Sequence, residues 1–252
     1  MFDPTLVGLG FAVGTLIGLT GIGGGALLTP LLILVAGVRP SIAVGTDLAF
    51  AALTKLVGAG VHLRHGSTDL KLVARLAVGS VPGALLGTRA IGLLEGTVGA
   101  GAEPLLARVI AVTLILAAAA SLARALGVSW SVGAATTPGP VTAPLIGLLV
   151  GFLVGLTSIG AGSILMAALA LFYGLSGTRS IGTDVVHGAV LAAVAALAYG
   201  AQGRVELQVL GPLLVGSLPG VIVGGALCSR LPGRVVRLGV AGLLMVTALR
   251  LL

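Results

Sequence analysis

Four ionisable side chains stand inside otherwise apolar stretches of this chain: Asp47, Lys55, Asp184 and His187. A charge in hydrocarbon is costly, so such residues are by default candidates for ion pathways, proton relays or ligand contacts. Asp47 and Asp184 each close a Gly-Thr-Asp triplet, Gly45-Thr46-Asp47 and Gly182-Thr183-Asp184. Two chemistries fit them. One is a helix-start carboxylate favoured by capping and the macrodipole; the other is a site carboxylate that takes up a proton or steadies a basic partner. Lys55 either snorkels to the membrane interface or offers a cation to a bound anion. His187 follows Asp184 by one turn, so the two share a helix face; it either closes an interhelical hydrogen bond or touches substrate.

Backbone chemistry is suggested by two glycine clusters, Gly21-Ile22-Gly23-Gly24-Gly25 and Ser158-Ile159-Gly160-Ala161-Gly162. Each sits mid-way in an apolar stretch, Leu6–Val35 or Val141–Phe172, too long for one untilted span. Each helical glycine costs about 1 kcal/mol relative to alanine, so each cluster is expected to break its helix into two halves. Unwound backbone is tolerated at membrane depth where it lines a protein-walled cavity. The free N–H groups and positive end of the following half-helix would then form an anion site. Thr20, Thr157, Ser158 and Ser163 would add hydroxyl donors. The alternative is that the glycines serve close packing alone.

These elements recur. Gly18–Leu28 reads again as Gly155–Leu165, an offset of 137 residues, and between Gly10 and Leu28, 11 of 19 positions match their partners. The same offset pairs the two Gly-Thr-Asp triplets, Gly79-Ser80-Val81-Pro82-Gly83 with Gly216-Ser217-Leu218-Pro219-Gly220, and Gly87 with Gly224. The chain is a duplicated unit, and in an apolar chain that points to a transporter. Lys55 pairs with Ala192 and His187 with Phe50. Structural positions tend to survive duplication on both sides, whereas one substrate needs one copy of each contact.

Hydrophobic residues make up 57% of the chain and charged residues 8%, with a mean hydropathy of +1.21; a soluble domain carries roughly a quarter charged residues. The expected fold is an all-α polytopic membrane protein of eight apolar segments, four per repeat, the first of each broken at its glycine cluster. Besides the two long stretches, the segments are Ile42–Val61, Leu72–Ile91, Leu105–Leu126, Ile181–Tyr199, Leu207–Leu227 and Val235–Leu252. The repeats span residues 1–128 and 141–252, with residues 129–140, which include Trp130 and Thr136-Thr137-Pro138-Gly139-Pro140, as linker. The first half spends Arg89–Pro104 on its last connection and the second little more than Ser229–Arg234. Met1-Phe2-Asp3-Pro4 lacks a basic n-region, so the first segment is expected to be retained. Counting Lys and Arg by side gives eight against five if the halves are inverted, and Leu63–Arg75 holds three basic residues where Gly200–Gly211 holds one. Inversion is therefore the expected symmetry.

With these motifs on the page, the chain resembles the sulfite exporter TauE/SafE family, also called the toluene sulfonate uptake permease family. The marks are Gly18-Leu-Thr-Gly-Ile-Gly-Gly-Gly25 followed by Leu27-Leu-Thr-Pro30, Val44-Gly-Thr-Asp47 and Val81-Pro-Gly83, with weaker second copies at Gly155–Gly162, Gly182–Asp184 and Pro219-Gly220. The resemblance covers essentially the whole chain and departs at Ala161, where strict symmetry of the clusters would place glycine. It implies a multi-pass permease of a prokaryotic inner membrane that moves sulfur-containing anions such as sulfite, sulfonates or sulfoacetate.

The functional expectation is a secondary transporter for such an anion; an anion channel, or a transporter of another small organic anion, stays open. The chain has no Ser/His/Asp arrangement and no His-Glu-x-x-His, and Cys228 stands alone, so an enzyme is not expected, nor a cofactor or metal. The net charge of +7 is carried mostly by Arg between apolar segments, and reads as orientation and lipid anchoring rather than nucleic-acid binding. Expected partners are the small anion, the bilayer and, as an open alternative, a second copy of the chain. The candidate substrate residues are Thr20, Gly21, Gly23, Gly24, Gly25, Thr46, Lys55, Thr157, Ser158, Gly160, Gly162, Ser163, Thr183 and His187, with Asp47 and Asp184 as candidate proton carriers.

Overall fold

The computed structural model describes residues 3–20, 25–126, 139–160, 162–175, 177–228 and 232–252. Its elements are all helical: α1 (Pro4–Thr20), α2 (Gly25–Leu34), α3 (Pro40–Arg64), α4 (Leu70–Val98), α5 (Ala102–Ala125), α6 (Thr142–Thr157), α7 (Ser163–Tyr173), α8 (Gly177–Ala201), α9 (Leu207–Cys228) and α10 (Gly233–Leu251). Pro40 opens α3, where its missing N–H costs nothing. Asp69 caps α4 by accepting the Leu72 N–H at 3.1 Å. Four stretches, Pro40–Arg64, Leu70–Ala123, Gly177–Ala201 and Leu207–Leu227, are long and apolar enough to cross a membrane. The protein is a polytopic helical membrane protein.

The repeat offset carries α3 onto α8 end for end, and α1 onto α6. It fails in the fourth helix, which has 29 residues in α4 and 22 in α9. Arg89–Pro104, expected as a connection, is largely helical: α4 runs on to Val98 and only a short turn at Gly99–Gly101 precedes α5. Leu93, Leu94 and Val98 keep the apolar helical pattern going, and Glu95 on the added turns meets Arg204 at 2.7 Å.

The halves interlock through their glycines. Gly10, Gly14 and Gly18 of α1 lie against the backbone of Leu213, Ser217 and Val221 in α9. At the repeat-equivalent positions, Gly147, Gly151 and Gly155 of α6 lie against Leu76, Ser80 and Ala84 in α4. The partner helices return the contact: Gly216, Gly220 and Gly224 face α1, and Gly79, Gly83 and Gly87 face α6. Each crossing is thus two glycine rows at four-residue spacing, so close that any Cβ would run into a facing carbonyl. The crossings run parallel, since residue numbers rise together. The central pair runs antiparallel: Gly45 of α3 meets Tyr199 and Arg204 at one end, and Gly58 meets Val185 of α8 at the other.

One matched pair of regions is packed differently. Ala59, Val73, Val185, Val186 and Ala189 form a closed cluster joining α3, α4 and α8. Shifting four of them by 137 residues gives Ala196, Leu210, Ala49 and Ala52, which line an open apolar groove of about 590 Å³ between α3, α8 and α9, with Ala52 and Leu210 themselves buried.

Candidate functional site

The break between α6 and α7 is described except at residue 161. Ser158 takes the left-handed conformation (φ 62°), and Gly160 and Gly162 have φ of 133° and 101°, values that L side chains rarely adopt. This supplies the expected interruption of the fifth segment. The Thr157 hydroxyl donates to Leu153 O at 2.7 Å and accepts the Ile159 N–H at 3.2 Å, so it is spent inside the turn. Gly21, Gly23 and Gly24 lie outside the described residues. So do the side chains of Thr20 and Ser163, while Gly25 is placed only as the first residue of α2.

Asp47 and Asp184 lie seven residues inside α3 and α8, so neither caps the helix it belongs to. Asp47, fully buried, ties its own half to the other: its Oδ2 accepts from Thr29 Oγ1 at 2.5 Å and, across the halves, from Ser158 Oγ at 2.8 Å. Its Oδ1 is buried without a partner. Asp184 Oδ1 accepts the Gly162 N–H at 2.9 Å, at the entrance to α7. The capping chemistry is real, but it is delivered from a neighbouring helix. The positive end of α7, where a substrate anion was expected, already faces a carboxylate of the protein.

Thr46 and Thr183 are not at the break. Thr46 Oγ1 accepts the Glu206 N–H and Thr183 Oγ1 accepts the Asp69 N–H, both at 3.0 Å. These repeat-equivalent bonds staple each central helix to a loop of the opposite half. Nearby Arg179 pairs with Asp69 at 2.9 Å.

Lys55 and His187 come together where α3 crosses α8. Lys55 is 8% exposed, and among the described residues neither a hydrogen bond nor an ion pair reaches it. Its Nζ lies so close to Gly188 that a Cβ there would stand 2.5 Å away. His187 is fully buried; its Nε2 is 2.8 Å from Ser80 Oγ on α4, and its Nδ1 has no partner.

Thr29, Ser80 and Gly188 are parts of this site that the residue types did not single out. Ser80 was visible only as a member of the repeated Gly-Ser-x-Pro-Gly motif. Thr29 pairs in the repeat with Met166, so half of its signal was missing. Tyr199, also unremarked, is buried and donates to Gly155 O at 2.8 Å, tying α8 to the last turn of α6.

Comparisons with known proteins point to a membrane transporter. A probable membrane transporter protein of Bacillus subtilis (strain 168), YjnA, is 37% identical over 98% of this chain and 99% of its own length. A second from the same organism, YdhB, is 28% identical over 88% of this chain and 89% of its own. No solved structure matches the chain. The family model described as sulfite exporter TauE/SafE matches residues 6–251, and the chain belongs to that family.

Proposed function

We propose that this protein is a secondary transporter of a prokaryotic inner membrane that moves a small sulfur-containing anion such as sulfite, a sulfonate or sulfoacetate. The observation that carries the reading is the unequal packing of matched regions, one a closed cluster and the other an open groove. Two halves built on one repeated pattern and held in different packings would have a second state in which the packings are exchanged. That exchange is alternating access. Inverted halves would make it productive, because the cluster and the groove would then lie toward opposite sides of the membrane. Inversion is supported by the antiparallel course of the equivalent helices α3 and α8. An anionic substrate is supported by the family description and by Lys55, a buried cation with no carboxylate bound to it.

Reconstitution in liposomes tests the reading. Sulfite, methanesulfonate, sulfoacetate, sulfate, taurine and acetate are loaded in turn, and counter-substrate-stimulated, saturable flux of a sulfur anion is expected. Non-saturating flux indicates a channel, and flux of acetate alone moves the substrate outside the sulfur anions. Cysteines at His65 and Gln202, which are exposed repeat mates, test inversion in a Cys228→Ser background. They should react with an impermeant reagent from opposite sides, and reaction from one side discards inversion.

A further inference from the structure

Ser80 and its repeat mate Ser217 use their hydroxyls differently. Ser217 donates to the carbonyl of Leu214 in its own helix at 3.0 Å, the habit of a helical serine. Ser80 makes its bond to His187 Nε2 instead, at 2.8 Å. The direction of that bond follows from what each choice leaves unpaired. If Nε2–H donates, both the Ser80 hydroxyl hydrogen and the bare Nδ1 lone pair remain unmatched in a buried site. If the hydroxyl donates into Nε2, the ring carries its proton on Nδ1 and one orphan donor remains. Orphan buried polar groups are rare and expensive, so the second arrangement is preferred.

The remaining donor, Nδ1–H, belongs to a residue with no exposed surface. Lys55 Nζ, which lies against the next residue, Gly188, brings three further N–H donors to the same crossing. Among the described residues, the carboxylates in the neighbourhood form no ion pair with Lys55, and only Asp47 Oδ1 is left without a partner. Asp47 Oδ2 takes Thr29 and Ser158, and Asp184 Oδ1 takes the start of α7. The α3–α8 crossing therefore holds a surplus of donors and positive charge, while the helix break holds the protein's own carboxylates.

We infer that Lys55 Nζ and His187 Nδ1–H form a binding site for a small oxoanion, a sulfonate, sulfite or carboxylate head group with two acceptor oxygens, and that Ser80 is the positioning residue that keeps the histidine proton on Nδ1. One oxygen takes the lysine and another the imidazole N–H, both charge-assisted or shielded from water and hence strong. The substrate class rests on the proposed function; the donor geometry does not. It also relocates the ligand, away from the paired half-helix ends and onto two buried residues, Lys55 and His187, that the duplication left single.

The test uses detergent-purified full-length protein labelled with ¹⁵N-histidine. His62→Gln and His65→Gln leave His187 as the sole histidine. The two imidazole nitrogens give distinct shifts, and the Nδ1–H tautomer is expected. Ser80→Ala, which removes one oxygen and adds nothing to the tight crossing, should abolish that preference. Methanesulfonate and sulfite should move the Nδ1 signal saturably, and Lys55→Gln should weaken that response at least tenfold. An Nε2–H tautomer in unmutated Ser80 protein overturns the proposal, as does a signal that sulfite, methanesulfonate, sulfate and acetate all leave unmoved. If that signal stays unmoved while liposome flux of a sulfur anion persists, the site falls and the transporter reading stands. A ring that responds in protein with no flux keeps the site and removes the transporter.

Discussion

The cluster at Ala59, Val73, Val186 and Ala189 and the groove at Ala196, Leu210, Ala49 and Ala52 are the same place in the two repeats. All eight residues are small or aliphatic, so nothing in their types requires one set to close and the other to part. The difference lies in how α4 lies on α8 and how α9 stands off α3. The crossing between α3 and α8 teaches the opposite. There the backbones match, and the difference is one of residues: Lys55 opposite Ala192 in the repeat, His187 opposite Phe50. Asymmetry of packing suits a moving part, and asymmetry of sequence suits a single ligand.

The comparison assumes two equal scaffolds, and the glycine crossings supply them. Gly14→Val and Gly151→Val each drive a branched side chain into a facing backbone, at Ser217 and Ser80 respectively. Overpacking of this kind costs about 1–3 kcal/mol where neighbours can yield, and backbone yields least. Both variants should lose most folded protein in size-exclusion profiles. If one survives at wild-type level, the crossings are not equivalent.

The packing difference itself can be frozen. In a Cys228→Ser background, Val73→Cys with Ala189→Cys should cross-link as the protein stands and stop flux until a reductant is added. The mate pair, Leu210→Cys with Ala52→Cys, should cross-link only on passage through the other state, more slowly, and also stop flux. A mate pair that never links during active transport removes the exchange.

The sequence difference predicts a smaller, specific loss. Lys55→Gln keeps a polar side chain one atom shorter and removes the charge, so binding should weaken by roughly 10–100-fold, the range for about 1.5–3 kcal/mol per hydrogen bond to a charged group. Ala192→Lys, its repeat mate, should not restore it. Equal anion affinity in wild type and Lys55→Gln would place the ligand elsewhere.

The smallest effect is expected at the carboxylates. Asp184→Asn keeps an acceptor for Gly162 N–H but removes its charge from the α7 terminus, a loss of about 0.3–1 kcal/mol, seen as a modest fall in melting temperature. Export of an anion is already assisted by an inside-negative potential, about 2.3 kcal/mol per charge per 100 mV. Efflux by Asp47→Asn and Asp184→Asn should therefore persist under voltage. Loss of efflux in both, with folding intact, would make them proton carriers.

Much of this was legible along the chain. Period-four glycines, an apolar composition and one offset held across separate motifs identify helices, their break near Ser158–Gly162 and a duplicated unit, because those depend on local backbone freedom and on spacing. The single copies of Lys55 and His187 were equally plain. What no string of residues carries is which helix each row of glycines meets. The tertiary structure decided that α1 lies on α9 and α6 on α4, so that each half is completed by the other. It turned Thr46 and Thr183 toward loops and placed the Asp184 carboxylate at the start of another helix. It also brought Ser80 to His187 across 107 residues. The packing is more distant still from sequence: the cluster and the groove are lined by the same kinds of apolar side chain, so which of the two matched regions closes belongs to the whole molecule.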